Sequence, residues 1–111
     1  MLKLPKSVKV AGFTYKIIPV ASKDEVENEV KGACGYVDFR KQEIIICTAY
    51  SNERQLETLL HEILHTVHFH YHIESVVSDP DIEEHLTTKV SEGIFQVFKD
   101  NPEVLPLFKR V

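Results

Sequence analysis

Cysteine is scarce in this chain, two residues among 111, which excludes the dense disulfide framework of a small secreted scaffold. Long apolar runs are missing too, and none approaches the roughly 20 residues that span a bilayer. Basic charge is short: 13 Lys and Arg stand against 17 Asp and Glu, a formal net charge of −4. That balance gives no electrostatic footprint for nucleic acid or for an anionic membrane. Met1 to Lys9 alternates lysine with apolar residues and lacks the apolar core of a secretory signal. Internal repeats and low-complexity tracts are also absent. What remains is ordinary globular composition, 43% hydrophobic and 27% charged. The expectation is a cytoplasmic protein of one domain, residues 1–111, with a modest core.

The opening has β character. Val8 and Val10 alternate with charged residues, and Phe13 to Ile18 comes after Gly12. Two short strands joined through Ala11-Gly12 are expected, with Pro19 ending or edging the second. Ser22 to Lys31 is rich in charge, with Val26 and Val30 four apart, and fits either a short amphipathic helix or a solvated loop. Tyr36 to Phe39 and Glu43 to Ile46 read as a hairpin about the tip Arg40-Lys41-Gln42. A turn centred between Arg40 and Lys41 sets Val37 against Ile44, Tyr36 against Ile45 and Cys34 against Cys47. A disulfide is geometrically conceivable there, but two free thiols suit a reducing compartment better. Three consecutive isoleucines, Ile44 to Ile46, call for packing on both faces of their strand.

Ser51 or Asn52 can cap a helix running to about Tyr71, with Leu56, Leu59, Leu60, Ile63, Leu64 and Val67 as its expected core stripe. Inside it lies His61-Glu62-Ile63-Leu64-His65. Residues four apart share a helix face, so two imidazoles can address one ion, while Glu62 reaches a water on it without being a ligand. H-E-x-x-H on a helix is the zinc-hydrolase signature, with the glutamate as general base. The pentapeptide would arise by chance in about one in thirty chains of this composition, so its neighbours must carry part of the case. At 100° per residue both histidines fall off the leucine stripe, which sends them to a second face. His68 and His72 continue that row if the helix lasts, and His70 points to the leucine side.

Asp79-Pro80 opens a further helix with Ile82, Leu86, Val90, Ile94, Val97 and Phe98 as its apolar face, stopped at Asn101-Pro102. The tail from Glu103 is expected to fold back as a short turn. A catalytic zinc commonly has three protein ligands and an open fourth position. Candidates for the third are Glu83, Glu84, His85, His68 and His72. Glu83 lies about 40° from the centre of the second helix's apolar face and Glu84 on the solvent side, so Glu83 is the expected ligand beside His61 and His65. The longer three-histidine motif fails, because His68 and Tyr71 hold its glycine and histidine positions.

These features together resemble the small ImmA/IrrE-like metallopeptidases, minimal gluzincins often carried by phages and mobile elements. The resemblance runs over residues 3 to 101. It is carried by Gly35 to Phe39 with Glu43 to Ile46, by Glu57 to His65, and by Gly93 to Val97. It implies an α+β zincin-like fold, with a small N-terminal antiparallel or mixed sheet packed on the HExxH helix and a second C-terminal helix. It also implies Zn2+ held by His61, His65 and a second-helix glutamate, and Glu62 as general base in hydrolysis of a peptide bond. The implied partner is a protein or peptide substrate, a repressor protein in the better-known relatives, without nucleic acid or membrane. The Glu83-Glu84 doublet and the lack of an attached DNA-binding domain depart from those relatives.

For the oxyanion, His68, His72, Tyr71 and Tyr50 are candidates of equal standing. The strand Glu43 to Ile46 is the expected edge for a substrate strand. The alternative is a zinc-binding interaction module without turnover, which a fourth protein ligand would favour.

Overall fold

Residue alternation at the start of the chain builds a hairpin. In the computed structural model, which describes residues 2–27 and 34–111, β1 (Ser7–Val10) and β2 (Phe13–Val20) pair antiparallel with Val10 opposite Phe13. Ala11 and Gly12 both take positive φ, 52° and 85°, as a two-residue turn between right-twisting strands requires. Pro19 does not end β2, which runs on to Val20. Ile17 N donates to Lys6 O and Lys16 N to Gln42 O, so odd-numbered amides of β2 point towards β1. The β1 ladder stops opposite Lys16. The missing N–H of Pro19 therefore falls beyond that ladder and costs no strand hydrogen bond.

The second hairpin has the expected register. β3 (Gly35–Asp38) and β4 (Glu43–Cys47) pair antiparallel, with Val37 opposite Ile44 and Tyr36 opposite Ile45. Cys47 N donates to Cys34 O, and both thiols are free. β2 and β4 then pair in parallel, Ile17 opposite Ile44, giving one mixed four-stranded sheet in the order β1-β2-β4-β3. This corrects one expectation: β4 is a central strand, and the edge next to it is β3.

Both faces of β4 are covered, as its isoleucine run requires. Ile44 and Ile46 join Tyr15, Ile17 and Leu59 in a cluster under the long helix α2 (Asn52–His70). Ile45 and Cys47 meet Val26 of the short helix α1 (Lys23–Glu27) on the other face. Val30 lies outside the described residues.

α2 begins at Ser51, whose hydroxyl accepts from Arg54 N. It ends at His70, so His72 does not continue the histidine row. His70 itself bonds the Tyr15 hydroxyl and stacks on Phe13, tying the end of α2 to β2. The inward line of α2 coincides with the expected leucine stripe only at Leu59 and Ile63, which join the core cluster. Its buried residues are Gln55, Thr58, Leu59, Glu62 and Thr66, whereas Leu56 is exposed. Three of the polar members, Gln55, Thr58 and Thr66, are satisfied locally. Gln55 Nε2 donates to the carbonyls of Thr48 and Tyr50, and Thr58 and Thr66 donate to carbonyls one turn back.

A 3-10 turn at Ile73–Ser75 leads to α3 (Pro80–Asp100), capped by Asp79. α3 returns antiparallel beside α2, with Lys99 near its end bonding Glu53 near the start of α2. Its buried residues are Thr87 and Ser91, while Ile82, Leu86, Val90 and Val97 of the expected apolar face are exposed. The tail forms a 3-10 turn, Leu105–Arg110, but leaves Leu105, Leu107 and Phe108 exposed. The result is an α+β fold with a small mixed sheet and two main helices. Among the described residues no helix is long and apolar enough to cross a membrane.

Candidate metal centre

Helical spacing acts first. His61 and His65 sit one turn apart on the face of α2 that meets α3, and their Nε2 atoms lie 3.0 Å apart. Both side chains are largely covered, at 20% and 18% exposure. α3 brings both glutamates of its first turns to this pair. Glu84 Oε1 stands 2.9 Å from His61 Nε2, and Glu84 Oε2 stands 2.7 Å from His65 Nε2. Glu83 meets the other side of the same ring, with Oε1 2.9 Å from His65 Nδ1.

Both ring nitrogens of His65 thus face a carboxylate, Nδ1 towards Glu83 and Nε2 towards Glu84; with the proton on Nδ1, the Nε2 lone pair is free for a metal ion. Glu83 is held in turn, because the Thr87 hydroxyl donates to its Oε2 at 2.7 Å and His68 Nδ1 approaches at 3.5 Å. Burial raises the Glu83 pKa, but the bond from Thr87 and the positive charge available on His65 outweigh it, and the net shift is downward. Glu83 is therefore an ionised carboxylate that orients an imidazole.

On the Nε2 side, two imidazole nitrogens and a carboxylate converge, a donor set that could hold a metal ion. Burial lowers the pKa of His61, a fall that the Glu84 charge opposes. The spacings of 2.7–3.0 Å approach the edge of about 3.3 Å that a tetrahedral ion with bonds near 2.05 Å sets between donors. Two imidazoles and one carboxylate are the donor types of a His2Glu catalytic zinc site. Two groups of three donors meet among the described residues, His61–His65–Glu84 and His65–His68–Glu83. The second is occupied by the hydrogen bonds that hold Glu83. Among the described residues no fourth donor joins the first.

Glu62 is 7% exposed and lines the same cleft. Burial pushes its pKa up to about 7, the negative charges of Glu84 and Glu83 add to the rise, and His65 opposes it. A carboxyl poised near neutrality suits a group that takes and returns protons. The cleft has a volume of about 670 Å³, with α2 as its floor and β3 and α3 as its walls. Gly35 lets β3 come this close, since a Cβ there would lie 2.5 Å from Ile45 O and 2.8 Å from Thr58 Cγ2.

The other candidates separate by position. Of the four oxyanion candidates only His68 lines the cleft. Tyr71 is exposed, His72 pairs with Glu74, and Tyr50 packs under the opposite face of the sheet. His85 joins neither donor group. Thr87 escapes a reading of the sequence, although its place one turn after Glu83 is the available signal. Comparison with protein-family models, with curated proteins and with solved structures returns no match, so the site is read from its own geometry.

Proposed function

We propose that this chain is a zinc-dependent metallopeptidase of zincin-like type, with His61, His65 and Glu84 as metal ligands and Glu62 as general base. The observation that carries it is the convergence of both Nε2 atoms with the Glu84 carboxylate, beside a buried glutamate in one open cleft. Glu83 takes a different role from the ligand expected from the helical wheel. It accepts the His65 Nδ1 proton and so aims the Nε2 lone pair, as carboxylates behind metal-bound histidines commonly do.

Bound there, zinc supplies Lewis acidity that polarises a carbonyl and draws the pKa of water towards neutrality. Glu62 accepts the proton of the attacking water and passes it to the leaving amine. Its burial keeps bulk water from competing for that proton. His68, the one oxyanion candidate in the cleft, is the donor best placed for developing negative charge. A peptide substrate is supported by β3, whose outer edge has no strand partner among the described residues. The likeness to ImmA/IrrE-like metallopeptidases supports the same reading and extends it to a repressor-type substrate.

The test combines metal analysis with cleavage. Protein purified with zinc present should carry about one equivalent, and Glu62→Gln should keep the zinc but lose proteolysis in a proteome-wide cleavage comparison. Less than about 0.2 equivalents of zinc overturns the metal centre. Full zinc with no product beyond that of Glu62→Gln overturns the peptidase and leaves a zinc-binding interaction module.

A further inference from the structure

The cleft is not uniform along its length. Gly35 lies against Thr58, and Phe39, just after β3, stacks on Phe69 with ring centroids 4.3 Å apart. β3 therefore runs alongside α2 in the same direction, passing the histidine pair between these two points. Cys47 N donates to Cys34 O, so in this antiparallel pair the even-numbered residues of β3 turn their main-chain groups towards β4. The main-chain groups of Gly35 and Val37 then point outward, at the rim of the cleft they line. An extended segment laid on this edge would pass the metal donors in mid-course.

One end of that course is aromatic. Phe69 is 52% exposed although it stacks on Phe39, and both rings line the cleft together with Val37. Phe69 lies one helical turn beyond His65, about 6 Å of axial rise. A strand advances about 3.3 Å per residue, which places this aromatic wall two residues from the bond at the metal. The remaining rim is acidic. Glu57, Glu74 and Glu92 line it and Arg54 is the one basic residue among its lining groups. Glu92 has a loose partner in Lys89 at 3.9 Å.

We propose that the cleft selects an extended peptide segment with an aromatic or large aliphatic side chain seated on the Phe39–Phe69 wall, within two residues of the scissile bond, and without acidic residues in its flanks. This rests on the peptidase reading and names its substrate class. The occupant is a strand-like segment because main-chain groups, an apolar wall and the metal donors lie in one line, and acidic segments are excluded by the rim.

The test uses the full chain as zinc-loaded Glu62→Gln, so that binding is read without turnover. Fluorescein-labelled decapeptides place Phe, Leu or Gly two residues to either side of a central Ala-Ala, flanked by Lys, Gln or Glu. Fluorescence anisotropy should show Phe and Leu peptides binding about tenfold tighter than Gly peptides, and Glu-flanked peptides weakest. Phe69→Ala should abolish the Phe-over-Gly ratio, and Phe69→Leu should restore most of it. Glu92→Lys, on the exposed rim, should reverse the flank preference without changing zinc content. Equal binding of all peptides, a preference for acidic flanks, or no binding at millimolar concentration overturns the proposal. Cleavage of a random peptide pool by wild type reports separately. Cleavage without the aromatic bias sinks the substrate class and leaves the peptidase reading intact.

Discussion

At the scale of single residues, Glu83 and Glu84 meet different nitrogens of the histidine pair and should fail differently. Glu84→Gln should weaken zinc binding by at least about 100-fold, because it removes a ligand. Glu83→Gln should cost about 10- to 100-fold, since only the orientation of His65 loosens. Competition titration with a chromophoric chelator measures both, and equal losses would dissolve the distinction. The places of His61, Glu62 and His65 are legible from spacing alone, because i and i+4 on a helix share a face whatever the tertiary structure. Ranking the two glutamates needs the rotation of α3 about its axis. A wheel centred on Ile82, Leu86 and Val90 favours Glu83, but α3 buries Thr87 and Ser91. About that inner line Glu83 and Glu84 lie roughly 60° to one side and 40° to the other, so both reach the histidines.

At the scale of elements, turns and close approaches explain most of what local pattern can and cannot show. The β3–β4 register is legible because turn length fixes it. The parallel pairing of β2 with β4 is not, since nothing local records a contact across some 26 residues. Ala11 carries φ 52° without being glycine, a conformation that costs an ordinary residue about 1 kcal/mol. Ala11→Asn should raise the thermal midpoint by about 2–5 °C in a melt followed by circular dichroism. At Gly35 the reverse holds. Gly35→Ala inserts a Cβ 2.5 Å from Ile45 O, which should cost about 1–3 kcal/mol in urea denaturation. An unchanged urea midpoint would mean that β3 does not depend on that approach.

For the whole molecule, the buried Glu62 couples stability to pH. Its folded pKa of about 7 stands above the ordinary glutamate value of 4.5. Between those values the folded state binds more protons than the unfolded chain, so stability falls as pH rises through the window. In metal-free protein the loss by pH 8 is on the order of 2–3 kcal/mol. His61, with its pKa lowered by burial, works in the opposite sense, so the comparison that isolates Glu62 is wild type against Glu62→Gln. In urea denaturation of chelator-treated protein, the fall in midpoint from pH 5 to pH 8 should vanish or reverse in the variant, and a slope equal to wild type would remove Glu62 as its source. Zinc saturation at neutral pH should raise the midpoint by mass action on the folded state.

By itself the sequence determined the features that depend on distance along the chain: a helix with two histidines on one face, a hairpin in a fixed register, caps at Ser51 and Asp79, and strands for a small sheet. These rest on backbone periods and turn lengths, which act locally. Only the tertiary structure decided which way each helix faces. α2 turns Gln55, Thr58, Glu62 and Thr66 inward and leaves Leu56 exposed, because Gln55, Thr58 and Thr66 find carbonyl partners on the spot and its histidine face is taken by α3. That rotation buries Glu62 and lifts its pKa. It brings two glutamates to one imidazole from opposite sides, and it opens the cleft along β3 rather than β4. Burial and convergence are properties of packed surfaces, and no spacing along the chain contains them.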